Sequence, residues 1–194
     1  MASPPSIASH YLSFDAYLAH DDGTDNRYEL VNGQLISMPP ESPENLRIAQ
    51  RLFLEFIQHV PPLWVVWGTE VEVNGYRANC RLPDLLIHTA ESWQAIQGAA
   101  RSTLTRDMPP PALVVEVVSP GRENRMRDYR YKHTEYAARQ IPEYWIVDPQ
   151  IRQVTVCQWV KGQYLDRVFR GPRAIVTSGQ LPQLALAIDR LFSP

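Results

Sequence analysis

The stretch that most constrains this chain is residues 112–148, which opens ALVVEVVSPG and closes PEYWIVDP. Ala112, Leu113, Val114 and Val115 form an apolar run of the kind that makes a buried strand. Glu116 interrupts that run, and Val117 and Val118 resume it. Burying an unpaired carboxylate is costly, so Glu116 calls for a partner, a metal ion or a task. After Ser119-Pro120-Gly121 the polar residues 123–139 predict a helix that ends ahead of Pro142. On it, Tyr129, Lys132, Tyr136 and Arg139 fall near one face. Residues 144–147 predict a second strand, stopped by Asp148-Pro149. A strand–helix–strand unit of this kind places its two strands parallel, with a right-handed crossover.

The rest of the chain supplies elements around that unit. Residues 1–12 are expected to form a flexible N-terminal tail, loosest over residues 1–8, and residues 13–194 a single domain. Ser13 caps a short helix over 14–19. Asn32-Gly33 between two apolar-bearing runs predicts a hairpin of residues 27–31 and 34–38 with a type I′ turn. Ser42, with Pro43 and Glu44 behind it, starts a helix along which Leu46, Ala49, Leu52, Phe53, Phe56, Ile57 and Val60 recur at helical spacing. Residues 64–69 predict a strand, and Val71 and Val73, alternating with Glu70 and Glu72, a half-exposed continuation. Residues 81–87 read as one strand entered through Pro83. Residues 90–106 read as either a short helix or a surface loop. Residues 153–160 and 164–169 predict a second hairpin around Lys161-Gly162. A short strand near Ile175 and the segment LPQLALAIDRLF close the chain. Together these give an α/β fold, a mixed sheet with flanking helices and added hairpins.

Several function classes are excluded or weakened. A net charge of -2 argues against a surface coated for non-specific nucleic-acid binding but not against a local basic patch. The cysteines, Cys80 and Cys157, are too few and too far apart for a disulfide framework, and no zinc-site spacing is visible. The N-terminus lacks a basic start and an apolar core, and no apolar run approaches the ~20 residues needed to cross a bilayer. The expectation is a cytoplasmic protein with no membrane partner. Neither a dinucleotide, P-loop, serine-hydrolase nor zinc-protease motif is present. The five histidines show no ligand spacing, and His59 and His88 at element ends read as solvated or locally bonded.

What remains is a pair of strand carboxylates, Asp84 directly after Pro83 and Glu116. Neighbouring strands lie ~5 Å apart, so two such groups can share one divalent cation. Oxygen ligands suit Mg²⁺ or Mn²⁺. Lys132 lies on the helix that the Glu116 strand feeds, from which it can reach the same site. Each residue also has a plain structural alternative: a turn cap for Asp84, a satisfied buried carboxylate for Glu116, a solvated helix lysine for Lys132. The arginines Arg122, Arg125, Arg127 and Arg130 are interleaved with acids, as on a solvated helix face, yet their place right after the Glu116 strand suits phosphate contact. Tyr144 and Trp145 read as core.

Pro83-Asp84, then Glu116-Val117-Val118, resembles the PD-(D/E)XK nuclease signature. The ordered set RYELVNGQL, RLPDLLI, ALVVEVVSPG and YKHTEYAARQIPEYWIVDP resembles the Uma-two family of restriction-endonuclease-like proteins over nearly the whole chain, from about Ser13 to Phe192. The resemblance implies a restriction-endonuclease-like α-β-β-β-α-β core and metal-dependent cleavage of DNA phosphodiesters. It implies Asp84 and Glu116 as catalytic metal ligands, joined by the Val117 backbone carbonyl, with Mg²⁺ or Mn²⁺ as cofactor. Val118 stands where the signature has lysine, and Lys132 matches the lysine ahead of the EYA and EYW patterns as its replacement. Glu29 matches a recurrent acidic position and is either a further metal or water ligand or a hairpin residue paired with Arg27 or another neighbour. A homodimer, one site per DNA strand, is implied. The alternative is a non-catalytic member of this fold serving as an interaction or assembly module.

Overall fold

The computed structural model describes residues 11–24 and 26–193. Most of the expected tail, residues 1–10, lies outside them; Leu12 is anchored by donating its N–H to the Gly33 carbonyl. The elements run α1 (Phe14–Leu18), β1 (Tyr28–Val31), β2 (Gln34–Ser37), α2 (Pro43–Phe56), β3 (Val65–Val66), β4 (Glu70–Val73), β5 (Asn79–Arg81), β6 (Leu85–Ile87), α3 (Ala90–Ile96), β7 (Thr103–Leu104) and β8 (Leu113–Val117). Then follow α4 (Arg122–Met126), a π segment (Arg127–Lys132), α5 (His133–Ala138), β9 (Glu143–Asp148), β10 (Gln153–Val160), β11 (Gln163–Arg170), β12 (Ile175–Val176), β13 (Leu186–Ala187) and α6 (Ile188–Phe192).

Two sheets organise the chain. The larger has the order β11-β10-β9-β8-β6-β3, and the smaller β2-β1-β5-β4-β7. β8 and β9 pair in parallel, as the crossover rule predicts, and β10 and β11 extend that sheet as an antiparallel hairpin. One face of the larger sheet, with Leu85, Ile87, Leu113, Val115, Val117, Trp145 and Val147, packs on Ile48, Leu52 and Phe56 of α2 and on Ile188 and Leu191 of α6. Its other face, with Leu86, Val114, Val118, Tyr144 and Ile146, meets Tyr136 and Ala137 of α5 together with Val71 and Val73 of the smaller sheet. The α4–π–α5 helix is therefore sandwiched between the two sheets. Tyr144 and Trp145 are fully buried, as expected.

Local chemistry explains most boundaries. Ser13 and Ser42 cap α1 and α2 through their hydroxyls, and Pro43 sits at the first turn of α2. Asn32 and Gly33 both take positive φ, as a type I′ turn requires.

Three strand readings need correction. Residues 64–69 yield only Val65–Val66, because Trp64 closes a short 3-10 turn instead. The β4 segment is not half exposed: Glu70 is buried against Arg101, Tyr17 and Thr103, and Glu72 against Arg106. Ion pairing lets these acids sit inside where alternation suggested solvent. Residues 81–87 form two strands in different sheets, β5 and β6, and Leu82-Pro83-Asp84 is the crossing between them. Proline cannot donate to a ladder, which makes this the natural place to leave one sheet and enter the other.

α2 also sits differently about its axis from the apolar reading. Asn45, Ile48, Ala49, Leu52 and Phe56 are buried, whereas Leu46 is 51% exposed. The uniform helix over 123–139 contains the six-residue π segment. Asp128, Lys132 and Tyr136, four residues apart, face the interior along it. No helix among the described residues is long and apolar enough to cross a membrane.

Candidate active site

The antiparallel ladder of β6 and β8 pairs Leu85 with Val115 and Leu86 with Val114. Continued by one step, that register sets Asp84 opposite Glu116. Both carboxylates then belong to the face that meets the sandwiched helix, since side chains alternate along a strand. Asp84 also accepts the Val117 N–H through Oδ2 at 2.6 Å. The chain thus brings its two candidate ligands to one point through strand register alone.

Lys132 arrives at the same point from the π segment. Its Nζ lies 2.8 Å from Glu116 Oε2 and 2.9 Å from Glu29 Oε1, and the side chain is fully buried. Val118, at the usual lysine position, is fully buried on the same face as Glu116. Its methyls belong to the core cluster on that face, and the ammonium beside Glu116 comes from the helix. Tyr136, one turn further along, donates its hydroxyl to Glu116 Oε1 at 2.8 Å.

Glu29 does not pair with Arg27. Its Oε2 accepts from Arg81 at 2.9 Å, and its Oε1 accepts the Leu82 N–H at 3.2 Å beside Lys132. Arg81 in turn forks onto Glu135 of α5 at 2.7 and 2.8 Å. The result is a buried chain of alternating charge, Glu135–Arg81–Glu29–Lys132–Glu116, that ties the smaller sheet, the helix and the larger sheet together. Each ion has an opposite partner, which is the condition for burying it.

The electrostatics differ along this chain. Burial alone would raise the Glu29 carboxyl, but Lys132 and Arg81 hold it down at about 2. Burial pushes Glu116 up to about 7; Lys132 opposes the rise, while Asp128 and Glu29 add to it. Burial raises Asp84 well above the usual carboxylate range, and the charges of Glu116 and Glu41 raise it further. Burial would lower Lys132, yet Glu116 and Glu29 outweigh it and keep the ammonium protonated.

A cleft of about 710 Å³ opens onto Asp84 and is lined also by Glu41, Asn45, Leu46, Trp67 and Arg27. Glu41 and Asn45 escape the sequence reading. Asn45 Nδ2 donates to Glu41 Oε2 at 3.1 Å, and lies 3.3 Å from both the Val117 carbonyl and Ser119 Oγ. The sequence signal for them is an asparagine in the first turn of α2, preceded by an acid just outside the cap. Tyr136 lies on the helix face that its spacing predicts, and its partner is Glu116.

The four arginines separate into two kinds. Arg125 is ion-paired with the buried Asp148, and Arg127 lies 3.0 Å from Asp128. Arg122 and Arg130 are exposed. Arg122, Arg125 and Arg130 line a second cavity of about 650 Å³ with Tyr129 and Gln150, at the start of the helix that leaves β8. His88 is buried, bonded to Ser92 Oγ at 3.0 Å, and its pKa is lowered by burial to about 4.

Comparison with known proteins bears on this arrangement. The model of the family Uma2, described as "Putative restriction endonuclease", matches residues 14–189. No curated protein matches the chain. Among solved structures, the chain is similar to one described as a "putative nuclease belonging to DUF820" from Anabaena variabilis ATCC 29413. The likeness has a TM-score of 0.70 at 17% identity and covers 94% of this chain and 98% of that one. The fold expected from the sequence, a restriction-endonuclease-like mixed α/β sheet with flanking helices, is the one found.

Proposed function

Because the chain belongs to the Uma2 family, we propose that it is a metal-dependent endonuclease that hydrolyses DNA phosphodiester bonds. The observation that carries this reading is the contact of Lys132 with Glu116, across the strand pair from Asp84, which itself lines an open cleft. That contact supplies the cation which the strand itself lacks at Val118.

The residues fit a hard divalent cation. Asp84, Glu116 and Glu41 are carboxylates close enough to raise the Asp84 pKa, and like charges held together in this way are relieved by a cation. Mg²⁺ or Mn²⁺ would be held by Asp84, Glu116 and the Val117 carbonyl, all oxygen donors. Bound there, the ion supplies charge neutralisation of the phosphate and a water ligand of lowered pKa. Lys132 has three N–H donors and two carboxylate partners, so one donor remains for the attacking water or the developing negative charge. Glu29 fixes the lysine, and Tyr136 fixes the Glu116 carboxylate. Exposed Arg122 and Arg130 are suited to backbone phosphates. The edge strand β11, with Leu165 and Val168 51% and 59% exposed, suits a homodimer contact.

The test is a plasmid-cleavage assay with Mg²⁺ or Mn²⁺, comparing the wild type with Asp84→Ala and Glu116→Ala. Cleavage by the wild type alone is expected; equal cleavage by all three would place the activity elsewhere. A second reading, a non-catalytic interaction module, draws on the Glu116 carboxylate, whose two oxygens already have Tyr136 and Lys132 as partners. Calorimetric titration with Mg²⁺ and Mn²⁺ separates the two, because the module has no need to bind either.

A further inference from the structure

Further along the same sheet, on β10 and β11, a second group of ligand atoms converges, none of which lines the cleft. Cys157 of β10 and Asp166 of β11 are direct partners across the hairpin ladder. His133, the first residue of α5, reaches over them, with Nε2 2.9 and 3.2 Å from the two carboxylate oxygens of Asp166. One ligand atom from each of the three residues lies within 4.8 Å of the other two. The His133 ring is packed edge-on against Tyr164 at 5.2 Å, which restricts its orientation.

We propose that His133 Nε2, Cys157 Sγ and an Asp166 carboxylate oxygen form a binding site for one zinc-class transition-metal ion, separate from the Asp84 cleft. In a tetrahedral zinc site with bonds of about 2.0–2.3 Å, neighbouring ligand atoms lie roughly 3.3–3.8 Å apart. To reach that, His133 Nε2 and the Asp166 oxygen would part by a few tenths of an ångström from their 2.9 and 3.2 Å contacts, and the sulfur, within 4.8 Å of both, would close in. Sulfur, imidazole nitrogen and one carboxylate oxygen together select zinc or cobalt over magnesium or calcium, which prefer oxygen throughout. Three protein ligands leave a fourth position for water. The approach is open, because the side chains of His133 and Asp166 are 23% and 43% exposed above the buried cysteine. Without metal, Cys157 packs in the core and its thiol is bonded to Asp166, so all three side chains already converge on one another.

Binding exchanges the thiol proton of Cys157, released to solvent, for a metal–sulfur bond, with no change of oxidation state. It would join the β10–β11 hairpin to the residue that follows Lys132. The site is thus a clamp on the helix that presents the lysine.

The test is to strip the full-length protein with chelator and titrate it with Co²⁺, reading absorbance. One equivalent is expected to bind with a sulfur-to-cobalt charge-transfer band in the near ultraviolet. That band should vanish in Cys157→Ala and persist in Asp84→Asn, whose cleft contains no thiol. The other cysteine, Cys80, is buried in a different core with Tyr17 and Leu30, and cannot substitute. His133→Gln should weaken Co²⁺ binding at this site at least tenfold, and Zn²⁺ should raise the melting temperature of the wild type by more than that of His133→Gln, in which only the Asp84 cleft remains. This second readout stands even if Cys157→Ala fails to fold. Absence of a charge-transfer band in the wild type, or Zn²⁺ stabilisation equal in wild type and His133→Gln, would overturn the proposal.

Discussion

Lys132 and Glu116 meet at 2.8 Å although one comes from a π turn and the other from a central strand. Each depends on the other for burial. Removing the lysine as Lys132→Met should leave Glu116 uncompensated and Glu29 with Arg81 as its remaining cation, and cost about 3–5 kcal/mol of stability, measured by denaturant unfolding. Cleavage should fall by about 10²–10³-fold, the scale for losing one charge-stabilising donor. Adding Val118→Lys to that variant returns an ammonium to the Glu116 face and should restore part of both. A double variant as inactive and as unstable as the single one would count against the positional exchange.

Tyr136→Phe deletes a single hydroxyl that donates to Glu116 at 2.8 Å. A hydrogen bond to a charged group contributes about 1.5–3 kcal/mol, so a loss within that range is expected on thermal or denaturant unfolding. The hydroxyl favours the ionised carboxylate. Without it the Glu116 pKa should rise, and the pH–rate profile should move to higher pH.

Stability of the metal-free protein should fall as pH rises from about 5 to 8. Glu116 is raised to about 7 in the folded state against an ordinary 4.5, so between those values the folded chain holds the extra proton. Asp84, also raised, acts in the same direction. Unfolding is therefore favoured progressively as these protons leave. Glu29, depressed to about 2, is ionised throughout this window and does not contribute to the slope. Melting curves in chelator should show the decline, Glu116→Gln should flatten it, and Mg²⁺ should reverse it most at the upper end.

Glu41→Gln removes a charge that raises Asp84. The variant should be at least as stable as the wild type without metal. Its affinity for Mg²⁺ or Mn²⁺ should drop about 10-fold or more, the scale for losing a group that supports a metal site. Titration calorimetry reads both effects, and unchanged affinity would remove Glu41 from the site.

Much of this was legible in the sequence because it depends on local rules. The apolar run around Glu116, the Asn32-Gly33 turn, the Ser42 cap and the strand–helix–strand crossover each follow from residues close in sequence. Asp84, Glu116 and Lys132 could be singled out for the same reason. Arg81 could not be, since its partners Glu29 and Glu135 come from distant segments and only the packing of two sheets on one helix brings them together. Glu70 and Glu72 were read as solvent-facing because alternation reports polarity, not the arginines that later cover them. The π segment carries no propensity signal. It shows only in which side chains end up inside.

The crossing at Leu82-Pro83-Asp84 has a consequence for how this protein would fail. Asp84 is the first residue on the far side of the crossing, and Glu29 grips the Leu82 N–H at its near end. The position of Asp84 against Glu116 is thus an alignment between two layers rather than a property of either one. Substitutions that loosen the Tyr17, Leu30 and Cys80 cluster behind the smaller sheet would be felt first as a misplaced ligand, while the larger sheet still folds. In this architecture the smaller sheet is calibrating equipment, and its wear would be recorded as a displaced Asp84 in a protein that still melts cooperatively.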